Sequence, residues 1–126
     1  MKAYVAFKFK EDYSDRPLIE AVTGALERAG IETRVMVRDQ EAWGAVKFEP
    51  RDMMRRAFAE IDACDILVAE FSEKGVGLGI EAGYAYAKGK PVYVIAREGS
   101  EISETLEGIA KQVIFYTDPS EIKVAV

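Results

Sequence analysis

The sequence predicts a single doubly wound α/β domain over residues 1–126, a Rossmann-like sheet of five parallel strands ordered 2-1-3-4-5 with helices on both faces. Residues 66–69 and 92–96 are continuous apolar runs, which are typical of strands covered on both faces. Segments with helical spacing separate the strands, so right-handed crossovers make the strands parallel. Residues 31–38 alternate between apolar and polar side chains, which indicates an edge strand and favours this order.

The first third of the chain is predicted to form a strand, a helix and a second strand. Residues 2–9 combine aromatic and β-branched side chains without glycine or proline, which favours a strand. Ser14 or Asp15 is expected to cap a helix that has Pro17 in its first turn and Gly30 just beyond its end. The alternating strand follows at once.

Residues 39–50 have no clear hydrophobic period and contain the only tryptophan, Trp43. A long irregular loop in a small domain is usually functional or mobile. Trp43 and Phe48 are therefore expected either to form a lid that stacks on a base or to pack on the core. Pro50 then begins a helix with an apolar inner stripe. Three arginines lie on or beside the outer face of this helix and are expected to face solvent or another subunit: Arg51, Arg55 and Arg56.

The central stretch, residues 65–96, is predicted to form a strand, a glycine-rich turn, a helix and a strand. Gly75, Gly77 and Gly79 would let the backbone approach a ligand and present N–H groups to it, beside the positive end of the helix dipole. Glu81 is predicted in the first turn of this helix, where the dipole favours a charged carboxylate. The residues alone leave two interpretations open, a reactive anion or a side chain that only complements the dipole.

The rest of the chain is predicted to complete the sheet and its cover. Residues 101–110 are expected to form a short helix and residues 112–116 the fifth strand. Pro119 is positioned to begin a last turn.

The predicted ligand site follows from the strand order. In such sheets, ligands bind beyond the carboxyl ends of the strands, here between the first and third strands. Lys8 and Lys10 end the first strand, where alternation allows both to point to the same side, and Ser72 and the glycine turn follow the third strand. We therefore expect these residues to meet at one crevice.

Composition excludes several kinds of site. The chain has no histidine, which excludes serine–histidine and cysteine–histidine catalysis and histidine metal sites, and no cofactor or metal is expected. The 17 basic and 22 acidic residues are interspersed and the net charge is −5, so no nucleic-acid or membrane-surface partner is implied. The one cysteine, Cys64, is expected to be a small apolar filler beside the core.

The sequence also predicts the cellular location of the protein and the kind of organism it comes from. The amino-terminal residues lack the charge-then-apolar order of a secretion signal, and no apolar run approaches the ~20 residues that cross a membrane, so a cytoplasmic protein is expected. The chain has no asparagine, only two glutamines and 31% charged residues, which is typical of thermophilic proteins.

The strings VGLGIEAGYA at residues 76–85 and GKPV at residues 89–92 resemble the signature of the nucleoside 2-deoxyribosyltransferase family and its nucleotide N-hydrolase relatives. The resemblance implies cleavage or transfer of the N-glycosidic bond of a (deoxy)nucleoside or its 5′-monophosphate. It also implies that Glu81 attacks the anomeric carbon and forms a glycosyl-enzyme intermediate. Tyr4 matches the family tyrosine whose hydroxyl touches the nucleophile and the sugar. Its alternative role is that of a core aromatic.

Two positions depart from the family pattern. Ala57 stands where relatives carry Asp, and Gly75 stands where the transferases carry Asp and the nucleotide hydrolases Ser. The resemblance therefore leaves the proton donor and the base-recognition residue unassigned. Glu70, at the end of the third strand, occurs at the same place in the hydrolase relatives and is the candidate acid. Its alternative is a solvent-facing loop carboxylate.

The substrate and the assembly state can also be predicted. Gly75 removes a charge that would repel a phosphate, so Lys8, Lys10 and the backbone amides are expected to bind a 5′-phosphate. Hydrolysis is favoured over base exchange because the Asp that recognises the incoming base in the transferases is absent. A homo-oligomer, at least a dimer, is expected because the helices after the second and third strands carry excess apolar surface. A non-catalytic or TIR-like nucleotide-binding domain has a similar layout and is the alternative function.

Overall fold

The computed structural model describes all 126 residues, which form one five-stranded sheet. The strands are β1 Lys2–Ala6, β2 Glu32–Arg34, β3 Ile66–Glu70, β4 Val92–Arg97 and β5 Gln112–Tyr116. Their spatial order is β2-β1-β3-β4-β5, and every neighbouring pair is parallel. The predicted fold class and strand order are therefore confirmed.

Helices cover both faces of the sheet. They are α1 Arg16–Arg28, α2 Pro50–Asp62, α3 Val76–Ala87 and the single turn α4 Glu104–Glu107. Alternating residues of the inner strands supply two cores, one with α1 and the chain end and the other with α2, α3 and α4. Cys64 is buried in the second core, as expected of an apolar filler. No helix has both the length and the apolar character needed to cross a membrane.

Three elements are shorter than predicted. β1 ends at Ala6, so the lysines that follow it lie in a loop rather than on a strand. The predicted helix over residues 101–110 is helical only over α4. β2 ends at Arg34 because the carboxylate of Asp39 accepts the N–H of Val35 at 2.8 Å, which turns the chain into a π-helical turn at Met36–Gln40.

The glycine-rich stretch is helical almost from its start. Gly75 has an extended backbone and is the last residue before α3, so Gly77 and Gly79 lie inside the helix and the predicted turn is wrong for both. Glu81 consequently lies in the second turn of the helix, not the first. The low helix propensity of glycine is outweighed by burial of three side chains against the sheet: Leu78, Ala82 and Ala85.

Candidate active site

A cavity of about 1010 Å³ opens at the carboxyl ends of β1 and β3, where the strand order predicts a ligand site. Its walls come from the loop after β1, the segment after β2, the first half of α2 and the start of α3. Tyr4 and Glu81 both line it. The cavity has the size of a small-molecule site.

Tyr4 and Glu81 are in direct contact, although 77 positions separate them in the sequence. The Tyr4 hydroxyl donates a hydrogen bond to Oε2 of Glu81. The Tyr4 ring is buried beside Leu67, its register partner on β3, and belongs to the core on the α2 and α3 side. Tyr4 is therefore both a core aromatic and a polar partner of Glu81, so the two alternatives drawn from the sequence are not exclusive.

The environment of Glu81 disfavours its charged form. Burial is the main cause that raises the pKa of Glu81 to about 7, against a lowering by the Tyr4 hydrogen bond, and the charge of Glu41 raises it further. The expectation that the helix dipole keeps this carboxylate charged is therefore wrong, because its effect falls off beyond the first turn and desolvation dominates. A carboxyl with a pKa near neutrality in a cavity is typical of a reactive group.

Tyr4 is a stable hydrogen-bond donor in this pair. Burial, followed by the nearby charge of Glu81, raises the pKa of Tyr4 well above its usual value. The phenol therefore keeps its proton at neutral pH and can hold that hydrogen bond on the ionised carboxylate.

Glu70 and Ser72 do not line the cavity. Glu70 is paired in register with Ile95 and points to the opposite face of the sheet from Tyr4, where only 6% of it is exposed. Its Oε1 accepts the Ser72 N–H at 2.6 Å and the Ser72 hydroxyl. Glu70 is thus neither an acid at the crevice nor a solvent-facing carboxylate, because strand alternation buries it on the far side.

Lys8 and Lys10 reach the rim of the cavity together, but they are not free cations. Nζ of Lys8 lies 3.3 Å from Glu73 Oε2, and Nζ of Lys10 donates to both carboxylate oxygens of Glu73 at 2.9 Å. Glu73 was not identified from the sequence, although its place directly after a strand end is a signal for such a role. The three side chains are partly to well exposed, so these ion pairs are weak.

The segment after β2 covers one side of the cavity with aromatic rings. Trp43 and Phe48 both line the cavity, and Trp43 also packs against the core on the α1 side. The guanidinium of Arg16 lies 4.2 Å from the Trp43 ring centroid, and that of Arg56 lies 4.1 Å from the Phe48 ring centroid. Trp43 therefore both lines the cavity, as a lid would, and packs on the core. Arg56 contacts this segment, although it was expected to face solvent or another subunit.

The two departures from the family pattern, Ala57 and Gly75, also line the cavity. Neither carries a polar side chain, so neither position supplies a carboxylate or a hydroxyl to the wall. Glu41, which was not predicted from the sequence, lines the same cavity from the segment after β2.

Comparison with known proteins shows the family of this chain. The family model described as nucleoside 2-deoxyribosyltransferase matches residues 4–121. The chain belongs to the nucleoside 2-deoxyribosyltransferase family. The resemblance carried by residues 76–92 is confirmed, and the chemistry of the family is cleavage or transfer at the N-glycosidic bond of nucleosides or nucleotides.

One relative by sequence is the "Putative 2'-deoxynucleoside 5'-phosphate N-hydrolase 1" of Thermofilum pendens. It is 31% identical to this chain over 127 residues, which cover 96% of this chain and 89% of the relative. Relatives of this chain in the family are thus nucleoside deoxyribosyltransferase and N-hydrolase enzymes.

Solved structures share the fold at lower identity. The 2-deoxyribosyltransferase of Bacillus psychrosaccharolyticus is 20% identical with a TM-score of 0.74, and the alignment covers 96% of this chain and 89% of that one. The CMP N-glycosidase BcmB of Clostridium botulinum is 21% identical with a TM-score of 0.69, and the coverage is 96% and 93%. These similarities support the arrangement of strands and helices described above.

Proposed function

We propose that this protein hydrolyses the N-glycosidic bond of a nucleoside 5′-monophosphate, with Glu81 as the nucleophile. The observation that carries the proposal is the Tyr4–Glu81 hydrogen bond, which places a half-buried carboxylate with a pKa of about 7 inside the cavity. A carboxylate nucleophile with an oriented hydrogen-bond donor is the arrangement used for retaining cleavage of glycosidic bonds.

The reaction would proceed in two displacements. The carboxylate of Glu81 attacks C1′ of the sugar, the C1′–N bond breaks, and the base leaves with the bonding electron pair. A water molecule then attacks C1′ of the glycosyl ester and releases the sugar phosphate and free Glu81. The Tyr4 hydroxyl donates to Oε2, so it would fix the carboxylate plane and leave the other oxygen for attack.

The preference for a 5′-phosphate rests on the groups at the rim. Lys8, Lys10 and the amino-terminal end of α3 after Gly75 border the same cavity, and no carboxylate occupies position 75. A phosphate dianion would compete with Glu73 for the two lysines, and the exposed ion pairs it displaces contribute little. The name of the Thermofilum pendens relative, an N-hydrolase of 5′-phosphates, supports the same substrate class.

Hydrolysis is favoured over base exchange by what the cavity lacks. In the transferases an Asp at the position of Gly75 takes part in base recognition, and here that wall is bare backbone. Without a group that holds an incoming base, water is the more accessible acceptor for the intermediate.

The experiment is to incubate the protein with ribo- and deoxyribonucleosides and their 5′-monophosphates and to measure free base by chromatography. We expect release from at least one monophosphate, faster than from its nucleoside, and none with Glu81→Gln. Free base at equal rates with Glu81→Gln would remove the nucleophile from the scheme. Release confined to reactions that contain a second base would indicate a transferase.

A further inference from the structure

Glu41 has a backbone that is held firmly at the cavity wall. Its N–H donates to the carbonyl of Met36 at 3.0 Å in an i to i+5 bond, and its own carbonyl accepts the N–H groups of Gly44 and Val46, each at 3.0 Å. Local π-helical geometry of this kind is frequent at functional sites. These three bonds fix the position from which the Glu41 side chain enters the cavity.

The two residues after Glu41 are strained. Ala42 and Trp43 have φ angles of +48° and +57°, which L-amino acids with a side chain rarely adopt. Such backbone is energetically costly and clusters at functional sites. In this turn it lets Trp43 face the cavity while Glu41, two residues earlier, does so as well.

The Glu41 carboxyl has no partner in the protein. It makes no hydrogen bond or ion pair, and burial alone raises its pKa. Its charge raises the pKa of Glu81, and both side chains line the cavity, so Glu41 faces the part of the cavity that holds the nucleophile. Tyr4 donates to Glu81 and favours its ionised form, whereas no donor stabilises the ionised form of Glu41.

We propose that Glu41 is the catalytic acid that protonates the departing base, because this chain has Ala57 where its relatives carry an Asp. The inference rests on the function proposed above. In the first step the Glu41 proton goes to a ring nitrogen or oxygen of the base as the C1′–N bond breaks and Glu81 bonds to C1′. In the second step the Glu41 carboxylate takes a proton from water as the water oxygen attacks C1′, which restores both groups.

Asp15 is a further partly buried carboxylate of the cavity, and its neighbours argue against a role as the catalytic acid. The charges that act on Asp15 are those of Lys10, Asp12 and Glu73, at the rim, whereas Glu81 is not among them. Asp15 precedes α1 without capping it through its side chain, so Asp15→Asn is a mild change. It is a matched control for Glu41→Gln.

The test compares bases that need protonation with bases that do not. Guanosine 5′-monophosphate, or its deoxy form if only that is cleaved, is paired with its N7-methyl derivative, whose cationic base leaves as a neutral molecule. If the wild type accepts only pyrimidines, a uracil nucleotide is paired with its 5-fluorouracil counterpart, which leaves more easily as an anion. Base release is followed for wild type, Glu41→Gln, Asp15→Asn and Glu81→Gln.

We expect Glu41→Gln to slow release of the ordinary base by about 10²-fold or more and to leave the activated base within a few-fold of wild type. Glu81→Gln should lose both reactions, and Asp15→Asn neither. Equal loss of both substrates in Glu41→Gln, or no loss of either, would overturn the assignment. A wild type that cleaves no nucleotide at all would instead reject the proposed function on which it rests.

Discussion

Glu81 and Glu70 are two carboxyl groups near the same edge of the sheet, and burial raises the pKa of both. Their surroundings differ. Glu70 lies at the end of β3 on the α1 side, where the N–H and the hydroxyl of Ser72 both donate to its Oε1. Glu81 has one partner, Tyr4, and opens onto a cavity. A raised pKa therefore marks a candidate nucleophile only where the carboxyl also has access to a ligand.

The largest expected effect separates these two glutamates. Glu81→Gln should lower the rate of base release by more than about 10³-fold, because it removes the bond-forming oxygen of a covalent mechanism. Glu70→Gln should change the rate by less than a few-fold, because the amide oxygen can still accept from Ser72. Steady-state rates with the best 5′-monophosphate measure both.

Circular dichroism of the two variants provides the control, since both should keep the wild-type spectrum. A Glu70→Gln enzyme as slow as Glu81→Gln would contradict the distinction between the two faces of the sheet and return Glu70 to the mechanism.

The sequence was enough to predict the fold and half of the site. Continuous apolar strands and helical spacing predicted the parallel sheet, the alternating second strand favoured the strand order, and that order located the cavity. What failed depends on single-residue geometry. Side chains alternate between the two faces of β3, and the position of Glu70 puts it on the face away from the cavity. β1 ends at Ala6, so Lys8 and Lys10 lie beyond the strand on which they were expected to align.

Two functional candidates, Glu41 and Glu73, were missed for a related reason. Both lie in irregular segments without a hydrophobic period, and the direction of Glu41 depends on backbone hydrogen bonds that have no sequence signature. Glu41 follows a π-helical turn, and the αL backbone of Ala42 and Trp43 at that turn is not predictable from their side chains. Close approach of Tyr13 to Gly44 is the one feature of this region with a recognisable residue requirement, since a Cβ on Gly44 would lie 2.5 Å from the Tyr13 hydroxyl oxygen.

The second prediction uses stability to sharpen the same comparison. The pKa of Glu81 is raised from about 4.5 to about 7 on folding, so the folded state loses stability as pH rises through this range, with the full penalty above pH 7. Tyr4 from β1 and Glu41 from the segment after β2 are the titratable groups that act on it. Glu81→Gln cannot ionise and should exceed wild type in unfolding free energy by up to about 3 kcal/mol at pH 8 and by little at pH 4.

Urea unfolding at pH 4 and pH 8 measures this difference. Glu70→Gln should show a change of the same sign, since burial raises that pKa as well. A Glu81→Gln protein that is less stable than wild type at pH 8 would mean that the carboxylate is stabilised rather than penalised in the cavity.

The third prediction concerns the elements on which the two glutamates lie. β3 is covered on both faces, whereas the outer face of α3 is open, with Val76, Ile80 and Tyr86 exposed by 82%, 48% and 56%. An apolar helix of this kind is expected to be covered by a second copy of the chain. Tyr86→Arg should weaken the homodimer by roughly 30-fold or more, as substitution of a buried interface aromatic does.

Light scattering over a concentration series tests the assembly. Phe115→Arg is the matched control, because Phe115 is 45% exposed on β5, away from α3, and should leave the dimer unchanged. A 14 kDa wild-type monomer at every concentration would contradict the prediction.

The smallest expected effect concerns a third carboxylate, Glu73, which differs from both Glu70 and Glu81 in being exposed. Its ion pairs hold Lys8 and Lys10 at the rim but also neutralise them, so it opposes a bound 5′-phosphate. We expect Glu73→Gln to tighten binding of a nucleoside 5′-monophosphate to an uncleaving Glu81→Gln background by a few-fold. Lys8→Ala with Lys10→Ala should weaken it by roughly tenfold, because at least one charge-assisted contact is lost.

Calorimetry with a matched nucleoside separates this effect from a general change in the cavity. The nucleoside lacks the phosphate, so its affinity should be the same in all three proteins, and only the monophosphate should respond to the rim charges. Because the rim is solvated, raising the salt concentration should shrink the differences between the variants. Monophosphate binding that ignores both substitutions would remove the lysines from the site and leave the phosphate to the amide groups at the start of α3.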